Sequence, residues 1–153
     1  MPPDPIRLAD TAAWLSKARL DLRSAAVDLA VSPPIVGDAL FHCQQAVEKA
    51  IKALLTWHDS PFRKTHDLVS LGGQAVEIDP SLEDLLREAA PLTEYAWKYR
   101  YPGEFVEPPP DRVTPILALA KEVVEAIATS VPFSMRMPDD EPSSDAVTRR
   151  ERP

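Results

Sequence analysis

The sequence predicts an all-α fold, an up-and-down bundle of about five helices. Its 17 prolines are grouped along the chain, so they leave long stretches free of residues that break helices. Within those stretches, apolar residues return every three to four positions, which is the period of one helix face. No stretch shows the strict alternation that is typical of a half-buried β-strand.

Two long helices are predicted in the first part of the chain. The first covers about 11–31, and Asp10 is its predicted N-cap. A Pro-Pro pair separates it from the second helix, predicted over about 36–58, whose apolar stripe is the broadest in the chain. Because Cys43 falls within that second helix and its apolar pattern, we expect its thiol to be buried.

A short third helix is predicted after the second. Thr65 has the side chain of an N-cap, and the helix is expected to continue through Ser70. Gly72 and Gly73 follow, and two adjacent glycines are expected to loosen or end it.

Two further helices complete the predicted bundle. Ser81 begins a sequence typical of a capping box, which opens the fourth helix. Pro91 lies inside the apolar pattern of that helix and predicts a kink or a split into two helices. Thr114 followed by Pro115 has the pattern of an N-cap with proline at the first helical position, and it predicts the start of the fifth helix.

Length and composition indicate one folded domain. The 153 residues suit a single hydrophobic core. We expect an N-terminal extension over 1–10, the helical domain over 11–131 and a C-terminal tail over 132–153. The tail is rich in Pro, Asp, Ser and Arg, so it is predicted to be disordered or held by a partner.

The charge and the apolar runs restrict the classes of function. A net charge of −7 argues against a protein that coats nucleic acid over its whole surface, so any contact with RNA must be local. No run approaches the roughly 18 apolar residues of a membrane-spanning helix, and the N-terminus lacks the pattern of a signal peptide. One cysteine cannot form an intrachain disulfide. The sequence therefore predicts a cytoplasmic protein without membrane contact.

Common catalytic and cofactor motifs are absent from the sequence. There is no phosphate-binding loop, no dinucleotide-binding glycine pattern and no nucleophile elbow. His42 and Cys43 are adjacent on a predicted helix, so their side chains point about 100° apart and are poorly placed to share a metal ion. We therefore predict no cofactor and no metal site.

The second predicted helix carries a polar seam beside its apolar stripe. The seam consists of Gln45, Glu48, Lys49 and Lys52. A Glu and a Lys four residues apart, such as Glu48 and Lys52, most often form a solvated ion pair on a helix surface. The alternative is that the seam lines a binding groove.

Two later segments combine cations with groups that suit nucleic acid. Arg63 and His66 lie together before the third helix. Farther along, Lys98, Arg100 and Tyr101 lie in a run rich in aromatic residues, which is suited to stacking on bases and binding phosphate. The structural alternative for His66 is that it hydrogen-bonds into the bundle after a cap at Thr65.

Taken together, these segments resemble the HEPN domain family (higher eukaryotes and prokaryotes nucleotide-binding). The resemblance covers about residues 11–131. Four blocks carry it in order: Trp14 with Asp21-Leu22; Phe41-His42-x-Gln44-Gln45-Ala46-x-Glu48-Lys49-Ala50-x-Lys52-Ala53; Thr65-His66-Asp67-Leu68; and Arg100-Tyr101-Pro102.

The resemblance implies a bundle that is often a homodimer, with a groove formed by the second helix and the end of the fourth. Family members are commonly paired with an MNT-type nucleotidyltransferase, and many are RNases or toxin components. The RNase branch uses a metal-independent Arg-x(4–6)-His motif. Arg100 matches the arginine, but residues 101–106 contain no histidine, which leaves His66 as the alternative acid or base.

Three functional hypotheses follow. The first is a component of a two-component MNT/HEPN system, resembling a toxin–antitoxin pair, that binds a nucleotide or an RNA phosphate. Its predicted ligand-binding residues are Gln45, Lys49, Lys52, Arg63, Lys98 and Tyr101. The second is a metal-independent RNase toxin with Arg100 and His66 as catalytic residues. The third is a non-catalytic helical dimer that positions a partner.

Overall fold

A computed structural model describes residues 2–103 and 105–132 of the chain. It contains five α-helices and two 3-10 segments, and no strand occurs among the described residues. The predicted all-α bundle is therefore confirmed. The predicted tail lies, except for Pro132, outside the described residues.

Helix α1 spans Pro5–Ala30 and begins six residues before the predicted start. The side chain of Asp4 accepts a hydrogen bond from the backbone N–H of Ile6 at 2.9 Å, and Pro5 occupies the first helical position. An Asp-Pro pair of this kind favours a helix start, because the cap satisfies a free N–H and proline has none to satisfy. The prediction that Asp10 caps the helix was wrong, and α1 runs through most of the region predicted as an extension.

Helix α2 spans Val36–Trp57, which confirms the prediction, and it is the centre of the bundle. It packs against α1 over most of its length, and 15 of its 22 residues are buried. Cys43 is fully buried, as expected. Burial raises the pKa of the Cys43 thiol to about 12, so the thiol stays protonated and acts as a small apolar group.

Helix α3 spans Leu68–Ile78 and continues through the two glycines that were expected to end it. Asp67, and not Thr65, is the N-cap, and its side chain accepts a backbone N–H at 3.0 Å. The prediction failed because the apolar face of α3 is buried against the bundle, and this burial outweighs the low helix propensity of Gly72 and Gly73.

The region predicted as a fourth helix is divided at Pro91. A 3-10 segment over Pro80–Leu82 leads into helix α4, Glu83–Ala89, and a second 3-10 segment follows over Ala90–Ala96. The predicted split is confirmed. Proline cannot donate the hydrogen bond that would continue α4, and the tighter 3-10 geometry takes over from there.

Helix α5 spans Pro110–Ser130 and packs along α2 and α1, which closes the bundle. It begins four residues before Thr114, so Pro115 lies inside the helix and not at its first position. Pro110 takes the first position instead, where the missing N–H costs nothing. In the described part of the chain, no helix has both the length and the apolar character needed to cross a membrane.

The glycines of α3 provide a test of its length. A Cβ added at Gly73 would meet no atom within 4 Å. We expect Gly73→Ala to raise the free energy of unfolding by about 0.5–1 kcal/mol, because alanine loses less backbone entropy in a helix. Urea denaturation measures the change. In Gly37→Ala, by contrast, the new Cβ would lie 2.6 Å from Glu107 Oε1, so no gain is expected. A loss of stability in Gly73→Ala would show that α3 ends before Gly73.

Candidate functional site

The carboxylate of Glu48 is the centre of a buried polar cluster on α2. Only 3% of Glu48 is exposed. Its Oε1 accepts a hydrogen bond from Lys52 Nζ at 2.7 Å, and its Oε2 accepts from Gln44 Nε2 at 2.9 Å. The Nδ1 of His66 lies 2.8 Å from the same Oε2. A buried carboxylate is tolerated when it has this many donors.

Gln45 extends the cluster towards the surface. Its side-chain amide donates to Gln44 Oε1 at 2.6 Å and lies 3.3 Å from Glu48 Oε2. Gln44 is fully buried, and its amide also lies 3.4 Å from the backbone carbonyl of His66. The cluster therefore ties α2 to the connection that precedes α3. We name Gln44, Gln45, Glu48, Lys52 and His66 the Glu48 cluster.

The surroundings of Glu48 keep its carboxylate charged. Burial alone would raise the pKa of Glu48, but the hydrogen bonds from Lys52, His66 and Gln44 outweigh burial and hold the pKa below its ordinary value of 4.5. The interpretation of Glu48 and Lys52 as a solvated surface pair was therefore wrong. The two side chains form a buried ion pair instead.

Lys52 is enclosed by aromatic rings. Only 7% of Lys52 is exposed, and its Nζ lies 5.5 Å from the ring centre of Trp14 and 5.7 Å from that of Phe62. Those two rings pack edge to face, 6.3 Å apart. The ammonium thus has a carboxylate on one side and aromatic faces on another, which stabilises the charge away from water.

A second buried carboxylate, Asp21, joins α1 to α2. Its two oxygens contact His42 Nδ1 at 2.8 Å and Lys49 Nζ at 2.6 Å. The side chain of Asp21 is 9% exposed and that of Lys49 is 22% exposed. His42 is therefore hydrogen-bonded to α1, and Lys49 forms an ion pair between the two helices.

Arg100 lies on the surface above the first part of α2. Its guanidinium carbon is 3.8 Å from the ring centre of Phe41, which is a stacked cation–π geometry. Arg100 is exposed, and no carboxylate among the described residues pairs with it. Stacking occupies one face of the guanidinium and leaves its N–H edge open to an anion.

Arg100 belongs to a surface that is rich in aromatic side chains. We name its members the aromatic segment: Tyr95, Trp97, Tyr99, Tyr101 and Phe105. Trp97 and Phe105 pack edge to face at 6.1 Å, and Tyr95 stacks on Tyr99 at 6.0 Å. Trp97 is 54% exposed, Tyr101 77% and Phe105 53%.

Lys98 lies within the aromatic segment. Its Nζ is 5.3 Å from the ring centre of Phe105 and 3.2 Å from a carboxylate oxygen of Glu94. The hydrogen bond to Glu94 raises the pKa of Lys98, so the ammonium is charged at neutral pH. This cation is partly neutralised by Glu94, in contrast to Arg100.

Gly37 allows the aromatic segment to lie close to α2. A Cβ at this position would lie 2.6 Å from Glu107 Oε1 and 3.0 Å from Tyr99 Cβ, closer than side chains normally approach. The absence of a side chain at Gly37 therefore sets how near the segment comes to the first turn of α2.

The structure separates the predicted site residues into groups. Three of them, Gln45, Lys52 and His66, meet at Glu48, and Lys49 lies in the neighbouring Asp21 pair. Three others belong to the surface of the aromatic segment: Lys98, Arg100 and Tyr101. Arg63 is exposed and has no ion pair or side-chain hydrogen bond within the described ranges.

Arg100 and His66 are held at different points along α2. They contact α2 at Phe41 and Glu48, respectively, seven residues apart on that helix. At 1.5 Å per residue this corresponds to about 10 Å along the helix axis. Gln45 lies between the two contact points, one turn after Phe41.

Sequence reasoning placed Glu48 in the polar seam but missed its central role, and it did not assign Gln44 or Phe41 to the site. A signal was present for part of this cluster. Gln44, Glu48 and Lys52 follow one another at intervals of four, which places three hydrogen-bonding side chains on one helix face. That Phe41 supports Arg100 depends on a contact distant in sequence, which spacing does not reveal.

The family model described as HEPN domain matches residues 11–130 of the chain. The match covers most of the chain, so the protein belongs to the HEPN domain family. Membership supports a function connected with nucleotides or RNA, and HEPN domains commonly dimerise. No curated protein and no solved structure matches the chain significantly.

The Glu48–Lys52 pair is expected to behave as one unit. Glu48→Gln leaves a buried ammonium without its counter-charge, and we expect it to lower the free energy of unfolding by about 3–5 kcal/mol. Lys52→Met leaves the buried carboxylate of Glu48 without its counter-charge, so it should also lower the free energy of unfolding. The double variant should recover much of the loss. Urea denaturation of all four proteins measures the coupling, and strictly additive losses would contradict a buried pair.

Acid should weaken the Glu48 cluster. Because the pKa of Glu48 is lower in the folded protein than in the unfolded chain, its stabilisation is present above about pH 4.5 and is lost as the pH falls through the folded value. The free energy of unfolding should therefore fall below about pH 4.5. In the Glu48→Gln/Lys52→Met double variant, the free energy of unfolding should fall less steeply with acid. Asp79→Asn removes a different carboxylate of lowered pKa, so it should keep the contribution of Glu48 to this fall. An identical pH dependence in the double variant and the wild type would argue against this assignment.

Proposed function

We propose that this HEPN-domain protein binds a nucleotide, or a phosphate of single-stranded RNA, on the surface formed by α2 and the aromatic segment. The observation that carries the proposal is the position of Arg100. Its guanidinium is exposed, is held flat on Phe41 and is paired with no carboxylate of the described chain. This is the geometry of a group that receives an anion.

The aromatic segment supplies the second half of the proposed interaction. Trp97, Tyr101 and Phe105 expose more than half of their surface. Bases stack on such rings whatever their identity, and a neighbouring cation binds the phosphate. The net charge of −7 repels nucleic acid from the rest of the surface, so binding should be confined to this patch.

The Glu48 cluster has a supporting part in this proposal. Lys52 and Lys49 were predicted as ligand-binding residues, but each is held by a carboxylate within the bundle. We propose that they position α2 and that the exposed edges of Gln45 and His66 meet the ligand. The side chain of His66 is 67% exposed, although its Nδ1 is bound to Glu48.

The separate positions at which Arg100 and His66 contact α2 favour binding over RNA cleavage. A metal-independent RNase needs its phosphate-binding arginine and its proton-transferring histidine at one phosphodiester. The two residues contact α2 about 10 Å apart along its axis. They are better placed to hold two parts of one ligand than to act on a single phosphate.

We further propose that the protein is a homodimer and works with an MNT-type nucleotidyltransferase in a two-component system resembling toxin and antitoxin. The homodimer is supported by apolar side chains on the outer face of α1. Leu20 and Val27, two turns apart, are 52% and 53% exposed. Sedimentation at several concentrations tests the dimer, and co-purification with a neighbouring nucleotidyltransferase tests the pairing.

RNA binding can be measured by the fluorescence anisotropy of a labelled single-stranded oligonucleotide, in parallel with calorimetry using ATP. We expect Arg100→Ala to weaken binding about tenfold. The slope of log K against log salt should become less steep by the amount that corresponds to about one phosphate contact. Trp97→Ala should weaken RNA binding by about 1–3 kcal/mol through the loss of one stacked base.

Arg112→Ala is the matched control, because Arg112 is also exposed but lies in the first turn of α5. It should change affinity by less than about twofold. Absence of binding to RNA and to ATP at low salt would overturn the proposed function. Equal losses in the Arg112 and Arg100 variants would show that only overall charge matters.

A further inference from the structure

A group of potential metal ligands lies where α1 ends and α2 begins. Asp28 is in the last part of α1, and Asp38 and His42 are one turn apart on α2. One ligand atom from each of the three side chains lies within 4.8 Å of the other two. This group is distinct from the surface proposed to bind nucleotide or RNA.

The imidazole of His42 is oriented by a carboxylate. Its Nδ1 lies 2.8 Å from an oxygen of the buried Asp21, which leaves Nε2 as the ring nitrogen available to a metal ion. Histidines that bind metals are commonly held in this way, since a carboxylate on one ring nitrogen fixes the ring and strengthens the other nitrogen as a ligand. Lys49 balances the charge of Asp21 itself.

An unsatisfied oxygen points independently to a missing partner. The Oδ2 atom of Asp28 is shielded from solvent and has no hydrogen-bond partner among the described residues. Neither Asp28 nor Asp38 forms an ion pair within the described ranges, although the two carboxylates lie close together. A cation between the two carboxylates would supply the missing partner of this oxygen.

We propose that Asp28, Asp38 and His42 bind a divalent transition-metal ion. Two carboxylate oxygens and one imidazole nitrogen suit Zn²⁺ or Mn²⁺, whereas Mg²⁺ and Ca²⁺ prefer oxygen ligands alone. Ligand atoms around such an ion lie about 3–4 Å apart, so the three side chains need only a small closing movement. The remaining coordination positions would take water.

The sequence prediction of no metal site considered His42 with Cys43. The relevant pattern is Asp38-x-x-x-His42, in which two ligands share one face of a helix. Asp28 joins them because the chain reverses direction between α1 and α2. The backbone N–H of Ile35 donates a hydrogen bond to the carbonyl of Asp28 at 2.8 Å. That bond fixes the end of α1 against the connection to α2.

The experiment uses the full chain, first treated with EDTA and dialysed. Calorimetric titrations with ZnCl₂, MnCl₂ and MgCl₂ measure affinity and stoichiometry, and thermal unfolding reports stabilisation by a bound ion. We expect one transition-metal ion per chain and a rise in Tm, with Mg²⁺ much weaker. Asp38→Asn, at an exposed position that should not disturb folding, should weaken binding at least about tenfold, and Asp28→Asn should do the same.

Two control variants separate this site from other metal-binding surfaces. Glu88→Gln removes an exposed carboxylate on α4, and His66→Asn removes the imidazole beside Glu48. Both should bind the ion as the wild type does. Circular dichroism confirms that each variant is folded.

Substitution with Co²⁺ provides a direct readout of the ligands. Its visible absorption should appear in the wild type and in His66→Asn and should be lost in Asp38→Asn. No binding at millimolar Zn²⁺ and Mn²⁺ would overturn the proposal. Wild-type affinity in both aspartate variants, or loss of the ion only in His66→Asn, would overturn it as well. None of these outcomes depends on RNA or nucleotide binding.

Discussion

The buried carboxylate of Glu48 is the constraint on which much of the structure depends. A charge in the middle of the central helix must be surrounded by donors, because transfer from water costs several kcal/mol for an ion without partners. Gln44 and Lys52 supply donors from the same helix, and His66 supplies one from the connection before α3. The cluster thereby fixes the connection before α3 to side chains that are spaced four residues apart on α2.

Helix α2 presents two polar faces in addition to its apolar contacts. Phe41, Gln45, Glu48 and Lys52 follow one face, and Asp38, His42 and Lys49 follow the adjacent face towards α1. Each face centres on one buried acid, Glu48 or Asp21. Both lysines of α2 pair with these acids, whereas Arg100 lies outside α2 and stacks on Phe41.

Several parts of the fold could be predicted from local sequence. The second helix and the split at Pro91 follow from apolar spacing and from the chemistry of proline. Helix boundaries were harder, since Asp4 and Asp10 are both suitable caps, and the proline that follows Asp4 favours the earlier start. The glycines of α3 were misjudged because burial of the apolar face of α3 outweighs their low helix propensity.

The candidate site was less accessible to sequence reasoning for a physical reason. Ion pairs at intervals of four are visible in a sequence, but Asp21 and Lys49 are 28 residues apart, and His66 and Glu48 are 18 apart. Whether a lysine faces solvent or a buried acid depends on these distant contacts. The resemblance to the HEPN family directed attention to these segments, but it did not indicate that Lys49 and Lys52 are enclosed.

Gly37 affects the shape of the surface that carries the aromatic segment and His66. The aromatic segment rests on α2 through van der Waals contact at this residue, whereas His66 is fixed to α2 by a hydrogen bond. The aromatic segment and His66 are therefore attached to α2 separately, and the missing side chain of Gly37 lets the aromatic segment lie directly on the helix. The position of the aromatic segment on α2 depends on a side chain that is absent, and any larger residue at position 37 would push Tyr99 and Glu107 away from the helix.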